Sequence, residues 1–378
     1  MTRPVLRAIA AAAVFIILAT VLAGPGITRE MRDFEVYWRA ASRAVAAEPL
    51  YRVDDQHYQF KYLPAFAVLA APLAAMPLET AKTAWFATSV ALIILLLGLS
   101  VRLIPERRVS LRLLSAAAVV VMGKFFGHEL VLGQVNLLFA CVAVWALLML
   151  RGNRQGAAGV LTAVAIVVKP YAVIFLPWLA AIGRWRATVT AVAGLALALA
   201  LPAVPYGIDG TIALHRDWWS TVTASTAPNL LNQDNVSLAA MYAKWIGPGA
   251  MSERLAAGSG AALLLLAALV VRHRRGIVWP EGLEGALLLT LIPLLSPQGW
   301  DYVFLIATPA VIYLVNFNDR LPTGLRVATL TTLAVIGLSL FDVLGRANYA
   351  RFMRLSLISV CFLIVVAALA ALRFRRAA

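Results

Sequence analysis

Residues 159–179 read GVLTAVAIVVKPYAVIFLPWL, an apolar run that is interrupted once, by Lys169 and Pro170. Each limb is too short to cross the roughly 30 Å apolar layer of a bilayer as one straight helix. Lys169 is therefore expected at or below the level of the lipid headgroups, where an unpaired cation is costly and usually functional. The alternative is that its side chain extends to the surface and is merely solvated. The stretch predicts membrane helices that break at a lysine.

The composition extends this prediction to the whole chain. Hydrophobic residues make up 62% of the 378 residues and charged residues 13%, whereas soluble domains are near half apolar and a quarter charged. Long apolar runs recur, which is typical of membrane helices rather than a β-barrel. The run from Ala8 to Ala23 is read as a retained first span, because no clear cleavage site follows it. Cys141 and Cys361 lie inside apolar runs and predict neither a disulfide nor a metal site.

The predicted fold is a single all-α, polytopic membrane domain over residues 1–378 with about twelve spans. The spans are predicted near residues 5–24, 80–103, 111–124, 132–150, 156–168, 171–183, 187–204, 255–272, 283–295, 301–316, 324–341 and 353–372. The run from Leu63 to Met76 is apolar but short and rich in proline, so it is expected to be a re-entrant or surface helix.

The net charge of +15 orients this predicted bundle. Alternate loops carry nearly all of the excess positive charge, together with Arg3, Arg7 and Arg376 at the two ends of the chain. The loops on the opposite side of the membrane are close to neutral. By the positive-inside rule both termini are cytoplasmic. The basic balance thus reflects topology and not binding to nucleic acid. The polar segments then fall on the outer face, at residues 29–64, 124–136, 205–254 and 296–301.

The first polar segment begins with Asp33, on a helix that is predicted to run to about Ala47. Tyr37 and Trp38 follow, and aromatic residues of this kind anchor a helix at a membrane surface. Asp33 is a candidate catalytic residue, although an aspartate at an outer surface is most often simply solvated.

The second polar segment holds five candidate residues between two predicted spans: Lys124, His128, Glu129, Gln134 and Asn136. His128 and Glu129 could begin a metal site, but no further histidine or cysteine follows at a ligand spacing, so no metal is expected. The alternative is a loop that hydrogen-bonds to itself.

Of two later polar segments, the one at residues 205–254 is suited to a sugar. Amides and a hydroxyl follow a pair of tryptophans, at Asn232, Gln233 and Ser237. Aromatic faces stack on sugar rings while amides bind hydroxyls, although aromatics at a membrane interface would look the same. In Ser296–Tyr302, SPQGWDY, the carboxylate of Asp301 either caps the next helix or faces a cavity.

In this order, the motifs resemble glycosyltransferase family 87, the polyprenyl-phosphate-mannose-dependent α-mannosyltransferases of the GT-C class. The resemblance covers about residues 33–302. It rests on Asp33 with Tyr37, Pro49-Leu50-Tyr51, Tyr62-Leu63-Pro64 with Pro72-Leu73, Gly133-Gln134-Val135-Asn136, Lys169-Pro170, Asn232-Gln233 with Ser237-Leu238, and Ser296-Pro297 with Trp300.

The resemblance implies a GT-C-type helical bundle in a bacterial inner membrane, with its active site at the outer face and Asp33 as the general base. A polyprenyl-phosphate sugar would be the donor and a lipid- or glycan-linked hydroxyl the acceptor, with no metal or other cofactor. The expected phosphate-binding cations are Lys169, Lys124 and His128. The expected substrate-binding residues are Tyr37, Tyr62, Glu129, Gln134, Asn136, Asn232, Gln233, Ser237, Trp300 and Asp301.

The chemistry of the residues agrees with this expectation. A departing phosphate needs a cation, and the acceptor hydroxyl needs a carboxylate to take its proton. Lys169 and Asp33 can fill these two roles. A transporter or flippase of polyprenyl lipids would also hide charge among membrane helices, but it should show repeated broken helices. A structural scaffold would not need so many polar segments on one face.

Overall fold

The computed structural model of the protein describes residues 3–375, with the side chains of residues 9–375 other than His57. Arg376, which the charge pattern assigns to the cytoplasmic side, lies outside the described residues, as do the side chains of Arg3 and Arg7.

The described part of the chain is helical throughout. The α-helices are α1 Arg3–Leu22, α2 Gly24–Ile27, α3 Arg32–Val45, α4 Pro64–Leu69, α5 Ala71–Ala74, α6 Leu78–Leu103, α7 Leu111–Leu132, α8 Asn136–Arg151, α9 Gln155–Val168 and α10 Phe175–Ala181. They continue with α11 Trp185–Ala200, α12 Ala203–Ala224, α13 Leu238–Ile246, α14 Ala250–Arg272, α15 Pro280–Leu295, α16 Thr308–Asn316, α17 Thr323–Leu338, α18 Phe341–Arg354 and α19 Leu357–Phe374. Short 3₁₀ helices span Thr28–Glu30, Val53–Tyr58, Pro170–Ile174, Ala227–Asn229, Asp301–Ala307 and Asn318–Arg320.

Each predicted span coincides with a helix or with a 3₁₀ and α-helix in succession, so the all-α prediction is confirmed. Among the described residues, four helices are long and apolar enough to cross a membrane, or up to seven if each of three bent pairs is one span. Four further apolar segments are shorter. The count of about twelve spans therefore stays a prediction.

Two of the predicted loops are wrong in their local structure. The segment 124–136 was expected to be a loop, but α7 continues to Leu132 and carries Lys124 and His128 on its last turns. Segment 205–254 likewise contains most of α12 and all of α13. Polar side chains predict a loop when they face water, whereas the side chain of Lys124 is 7% exposed and faces Asp301, so the helix stays intact.

Helix α15 lies at the centre of the bundle. Every residue from Glu281 to Leu294 is buried, because α15 is apolar on all sides and is surrounded by protein. Gly285 lets the side chain of Leu147, on α8, come into contact with the helix backbone. The two ends of α15 meet very different surroundings: an arginine-rich cluster at its start, and a polar cavity beyond its end.

Candidate active site

A cavity of about 600 Å³ lies beyond the carboxyl end of α15. Its walls come from the start of α3, the segment 58–62, the end of α7, the break after α9, part of α12 and the loops near residues 232 and 300. These segments are distant in sequence, so only the tertiary fold brings them together. The sequence-predicted site residues that line the cavity are Asp33, Tyr37, Tyr62, His128, Gln134, Lys169, Asn232 and Trp300.

Asp33 lies in the first turn of α3, where the positive end of the helix dipole favours a carboxylate. The helix agrees with the predicted one and is amphipathic, with Phe34 and Tyr37 buried. The indole N–H of Trp38 donates to the carbonyl oxygen of Met76 at 3.0 Å. These contacts fix α3 against the bundle, so that Asp33 faces the cavity from a rigid element.

The neighbouring carboxylate of Glu35 is in a different position. Its Oε1 lies 2.7 Å from Nζ of Lys82, whose side chain is buried. Glu35 is thus paired with a fixed cation on α6, and the sequence-based preference for Asp33 as the base agrees with this arrangement.

Gly133 brings the end of α7 against the start of α3. It ends the helix in a left-handed conformation, with φ of +70°, and a Cβ there would lie 2.7 Å from Cβ of Phe34 and 2.8 Å from Cε of Met31. Only glycine permits this approach without displacement. As a result, Nε2 of Gln134 donates to Oδ2 of Asp33 at 2.6 Å.

Lys169 breaks the apolar run as predicted. It has extended dihedrals, φ of −143° and ψ of 104°, because a residue before proline is pushed out of the helical region. Its side chain is buried, lines the cavity and donates from Nζ to the hydroxyl of Tyr62 at 2.8 Å. The ammonium thus faces the interior of the site, and the alternative of a solvated surface lysine does not apply.

Two loops join to form the opposite wall. The N–H of Val236 donates to the carbonyl of Gly299 at 2.6 Å, and the N–H of Asp301 donates to the carbonyl of Asp234 at 3.0 Å. This antiparallel bridge unites two motifs that sequence reasoning had considered separately. It sets Asn232 and Trp300 on one side of the cavity.

Asp301 is fully buried behind this wall and lies outside the cavity lining, and its predicted contact with substrate stays a prediction. Its Oδ2 lies 3.3 Å from Nζ of Lys124, and its Oδ1 lies 3.2 Å from Nδ1 of His128. Lys124 also lies 4.9 Å from the ring centre of Tyr349. Of these three residues, His128 lines the cavity, and Lys124 and Asp301 lie behind it.

Glu129 and Asn136 lie outside the cavity lining. Glu129 accepts hydrogen bonds from Nδ2 of Asn136 at 2.8 Å and from the N–H of Leu137 at 3.0 Å. The amide of Asn136 in turn accepts from the hydroxyl of Tyr171 at 3.2 Å. These bonds brace the turn between α7 and α8, and the predicted substrate contacts of both residues stay predictions.

Gln233 and Ser237 also lie outside the lining. The carbonyl of Gln233 accepts from Nζ of Lys244 at 2.9 Å. The hydroxyl of Ser237 caps α13 by accepting from the N–H of Ala240 at 3.1 Å. Their contacts stabilise the loop that carries Asn232, and a direct contact with substrate stays a prediction for each.

Sequence reasoning missed several residues of the lining. Lys61 directly precedes the Tyr-Leu-Pro motif, and burial lowers its pKa while the charge of Asp33 opposes this shift. Burial raises the pKa of Asp234, and the charge of Asp301 raises it further. Lys61 and Asp234 could have been predicted from the sequence because each lies directly beside a motif, Tyr62-Leu63-Pro64 and Asn232-Gln233 respectively. The other missed lining residues include Arg32, Tyr171, Trp218, Gln298 and Tyr302.

The family model described as glycosyltransferase family 87 matches residues 60–297, more than half of the chain. The chain belongs to this family. It is a membrane glycosyltransferase. No curated protein and no solved structure matches the chain, so the GT-C-type arrangement of its helices stays a prediction.

The residues matched to glycosyltransferase family 87 include Lys61, Tyr62, Gln134 and Lys169, which meet at the cavity. Asp33 precedes the matched range, and its place in the site rests on the tertiary structure. A transporter or flippase, the alternative class from the sequence, is not needed to explain a buried polar cavity in a family 87 glycosyltransferase.

Proposed function

We propose that the protein moves a sugar, mannose or a similar hexose, from a polyprenyl-phosphate donor to a hydroxyl of a lipid- or glycan-linked acceptor. The observation that carries this proposal is that Asp33 and Lys169 line one cavity in a membrane glycosyltransferase. A carboxylate and a buried cation are the two groups that such a transfer requires.

Asp33 acts as the general base. The acceptor oxygen forms a bond to the anomeric carbon as the bond from that carbon to the phosphate oxygen breaks. The proton of the acceptor hydroxyl passes to Asp33, and the electron pair leaves with the polyprenyl phosphate. A single displacement without a covalent intermediate inverts the configuration at the anomeric carbon.

Lys169 holds the phosphate as its charge develops. In the structure its ammonium donates to the hydroxyl of Tyr62 at 2.8 Å and lies 4.6 Å from that ring centre. A phosphate is a stronger acceptor than a phenol, since both partners are charged. His128, which faces Asp301 through Nδ1, is positioned to add a second contact from the opposite wall. With these cations the reaction requires no metal.

The cavity faces the outer side of a bacterial inner membrane, with both termini cytoplasmic. This part of the proposal rests on the charge pattern of the sequence. Asp54 is exposed on the cavity-side segment, and the two native cysteines are buried. An Asp54→Cys variant should react with an impermeant maleimide in intact cells; reaction only after permeabilisation would overturn the orientation.

The decisive test compares the two carboxylates that line the cavity. Asp33→Asn keeps shape and hydrogen bonding but cannot accept a proton, so we expect transfer from polyprenyl-phosphate mannose, or hydrolysis of this donor, to fall by roughly a hundredfold or more. Donor binding should persist. The matched control, Asp234→Asn, should retain most of the turnover.

A result in which Asp33→Asn turns over normally while Asp234→Asn does not would move the base to the opposite wall. A panel of other polyprenyl-phosphate hexoses, run with the wild-type protein, would identify the sugar. Absence of transfer and hydrolysis for every member would contradict the proposed donor class.

A further inference from the structure

A continuous chain of hydrogen bonds joins Lys169 to Asp33. Nζ of Lys169 donates to the hydroxyl of Tyr62 at 2.8 Å, and the hydroxyls of Tyr62 and Tyr37 are 2.6 Å apart. The hydroxyl of Tyr37 donates to Oε1 of Gln134 at 2.7 Å. Nε2 of Gln134 then donates to Oδ2 of Asp33 at 2.6 Å.

The ends of this chain fix the direction of its terminal bonds, and between Tyr62 and Tyr37 either hydroxyl can be the donor. A lysine ammonium can only donate and an ionised carboxylate can only accept. With Lys169 donating to Tyr62, the proton of Tyr62 is free to go to Tyr37, and that of Tyr37 goes to the amide oxygen. The amide nitrogen of Gln134 is thereby turned toward Asp33. Burial raises the pKa of both tyrosines, which keeps both hydroxyl protons in place.

The amide of Gln134 has little capacity left for a ligand. Its oxygen faces the hydroxyls of Tyr37 at 2.7 Å and Tyr62 at 3.1 Å. Its nitrogen, which has two protons, donates to Asp33 and to the hydroxyl of Tyr302 at 3.2 Å. Gln134 is buried as well. An amide whose two protons are used and whose oxygen is enclosed by two phenol hydroxyls cannot also bind a sugar hydroxyl without disturbing the network.

Tyr37 is held as tightly as Gln134. Its side chain is 2% exposed, and its ring packs edge-on against Tyr62 and Phe66, with ring centres 5.0 and 5.5 Å apart. A buried and fully satisfied polar network keeps a single geometry. This rigidity suits the support of a base better than contact with a substrate that must enter and leave.

We propose that Tyr37 and Gln134 are positioning residues, which hold the carboxylate of Asp33 in a fixed orientation for proton acceptance, and that Tyr62 links this support to the phosphate-binding Lys169. The inference rests on the proposed function and changes the expected role of Tyr37 and Gln134 from sugar binding to support of the base.

The test uses Gln134→Glu in the full-length protein, with polyprenyl-phosphate mannose as the probe. Both tyrosines can still donate to the new carboxylate, but its charge lies beside Asp33 and opposes ionisation there. We expect the acidic limb of the pH–rate profile to move to higher pH by about one unit or more, with KM for the donor changed less than threefold. The other titratable or charged groups that face Asp33 include Lys61, Lys169, Tyr37, Tyr62 and Tyr302.

Tyr37→Phe supplies the second measurement, because it removes one hydroxyl and keeps the packed ring. We expect kcat to fall by about tenfold with KM nearly unchanged, since the loss concerns orientation of the base. Phe66→Leu, next to the same ring but outside the chain of hydrogen bonds, is the matched control and should leave kcat within about twofold.

The outcomes separate this inference from the function on which it rests. If Asp33→Asn is inactive but Gln134→Glu leaves the pH–rate profile in place, or if both Gln134→Glu and Tyr37→Phe raise KM at constant kcat, the positioning role is wrong. If Asp33→Asn itself turns over normally, the proposed base is wrong. Comparison of each variant's elution from a sizing column with the wild type excludes misfolding as the cause.

Discussion

The two ends of α15 both bury charge, but in opposite ways. Near its start, Glu284 lies 3.1 Å from Nη1 of Arg373 and accepts from the indole N–H of Trp178 at 3.0 Å. Glu281 in the same cluster lies within 3 Å of nitrogens of Arg184 and Arg274. Beyond the other end of the helix, the ammonium of Lys169 contacts the aromatic side chains of Tyr62 and Tyr171 and lines a cavity.

The difference shows what each region is for. A buried carboxylate that is surrounded by guanidinium groups is neutralised in place and fastens helices to one another. The ammonium of Lys169 donates to a neutral phenol, and the carboxylates of Glu129 and Asp33 act on it only from a distance, so it can still attract an anion. Burial of charge alone therefore does not identify a site; the nature of the partners does.

The largest expected effect is at the arginine-rich cluster. Arg373→Met should lower the free energy of unfolding by about 3–5 kcal/mol, because it leaves a buried carboxylate partly uncompensated. Thermal unfolding of the detergent-solubilised protein measures this loss. The control is Arg375→Met, at an exposed position two residues further on, which should change little. Equal shifts for the two variants would contradict the fastening role of the cluster.

A smaller effect, of a different kind, is expected at the cavity. Lys169→Met should weaken binding of polyprenyl-phosphate mannose by about 1–3 kcal/mol, the usual value of a charge-assisted contact. Thermal stability should fall less than in Arg373→Met, since the charge of Lys169 acts on Glu129 and Asp33 from a distance, whereas Arg373 lies in direct contact with Glu284. Lys169→Arg should restore binding only in part, because the guanidinium differs in shape. Unchanged donor affinity in a folded Lys169→Met protein would remove Lys169 from the site.

The smallest effect is expected at the ion pair of Arg43 and Asp55, whose side chains are partly exposed to solvent. Arg43 donates to both oxygens of Asp55, with Nη2 to Oδ1 at 2.9 Å, and this hydrogen bond holds the pKa of Asp55 below its usual range. A lowered pKa means that the stabilisation is present above the ordinary value near 4 and is lost as the pH falls through the lower, folded value.

Asp55→Asn should therefore cost at most about 1 kcal/mol at pH 7, and the difference from the wild type should shrink as the pH is lowered toward 3. Thermal unfolding of both proteins at several pH values measures this difference in stability. A difference that grows on acidification would mean that Asp55 is stabilised in its protonated form.

The sequence predicted much of the local structure because short-range physics decides it. Pro170 forces Lys169 out of the helical region wherever the segment lies, so the break was visible in the apolar run. The helix predicted from Asp33 to about Ala47 likewise agrees with α3, which ends at Val45. Local sequence was misleading at Lys124, where a buried charge faces Asp301 across the bundle and the helix continues.

By itself, the sequence determined that this chain is helical, membrane-embedded and similar to glycosyltransferase family 87, since apolar runs, proline breaks and motif order are properties of the chain. Only the tertiary structure decided which polar groups meet. Gln134 reaches Asp33 because Gly133 lets two helices touch, and Asp301 receives Lys124 and His128 from α7. Contacts between residues so far apart depend on packing, and the pattern of neighbours along the chain does not encode them individually.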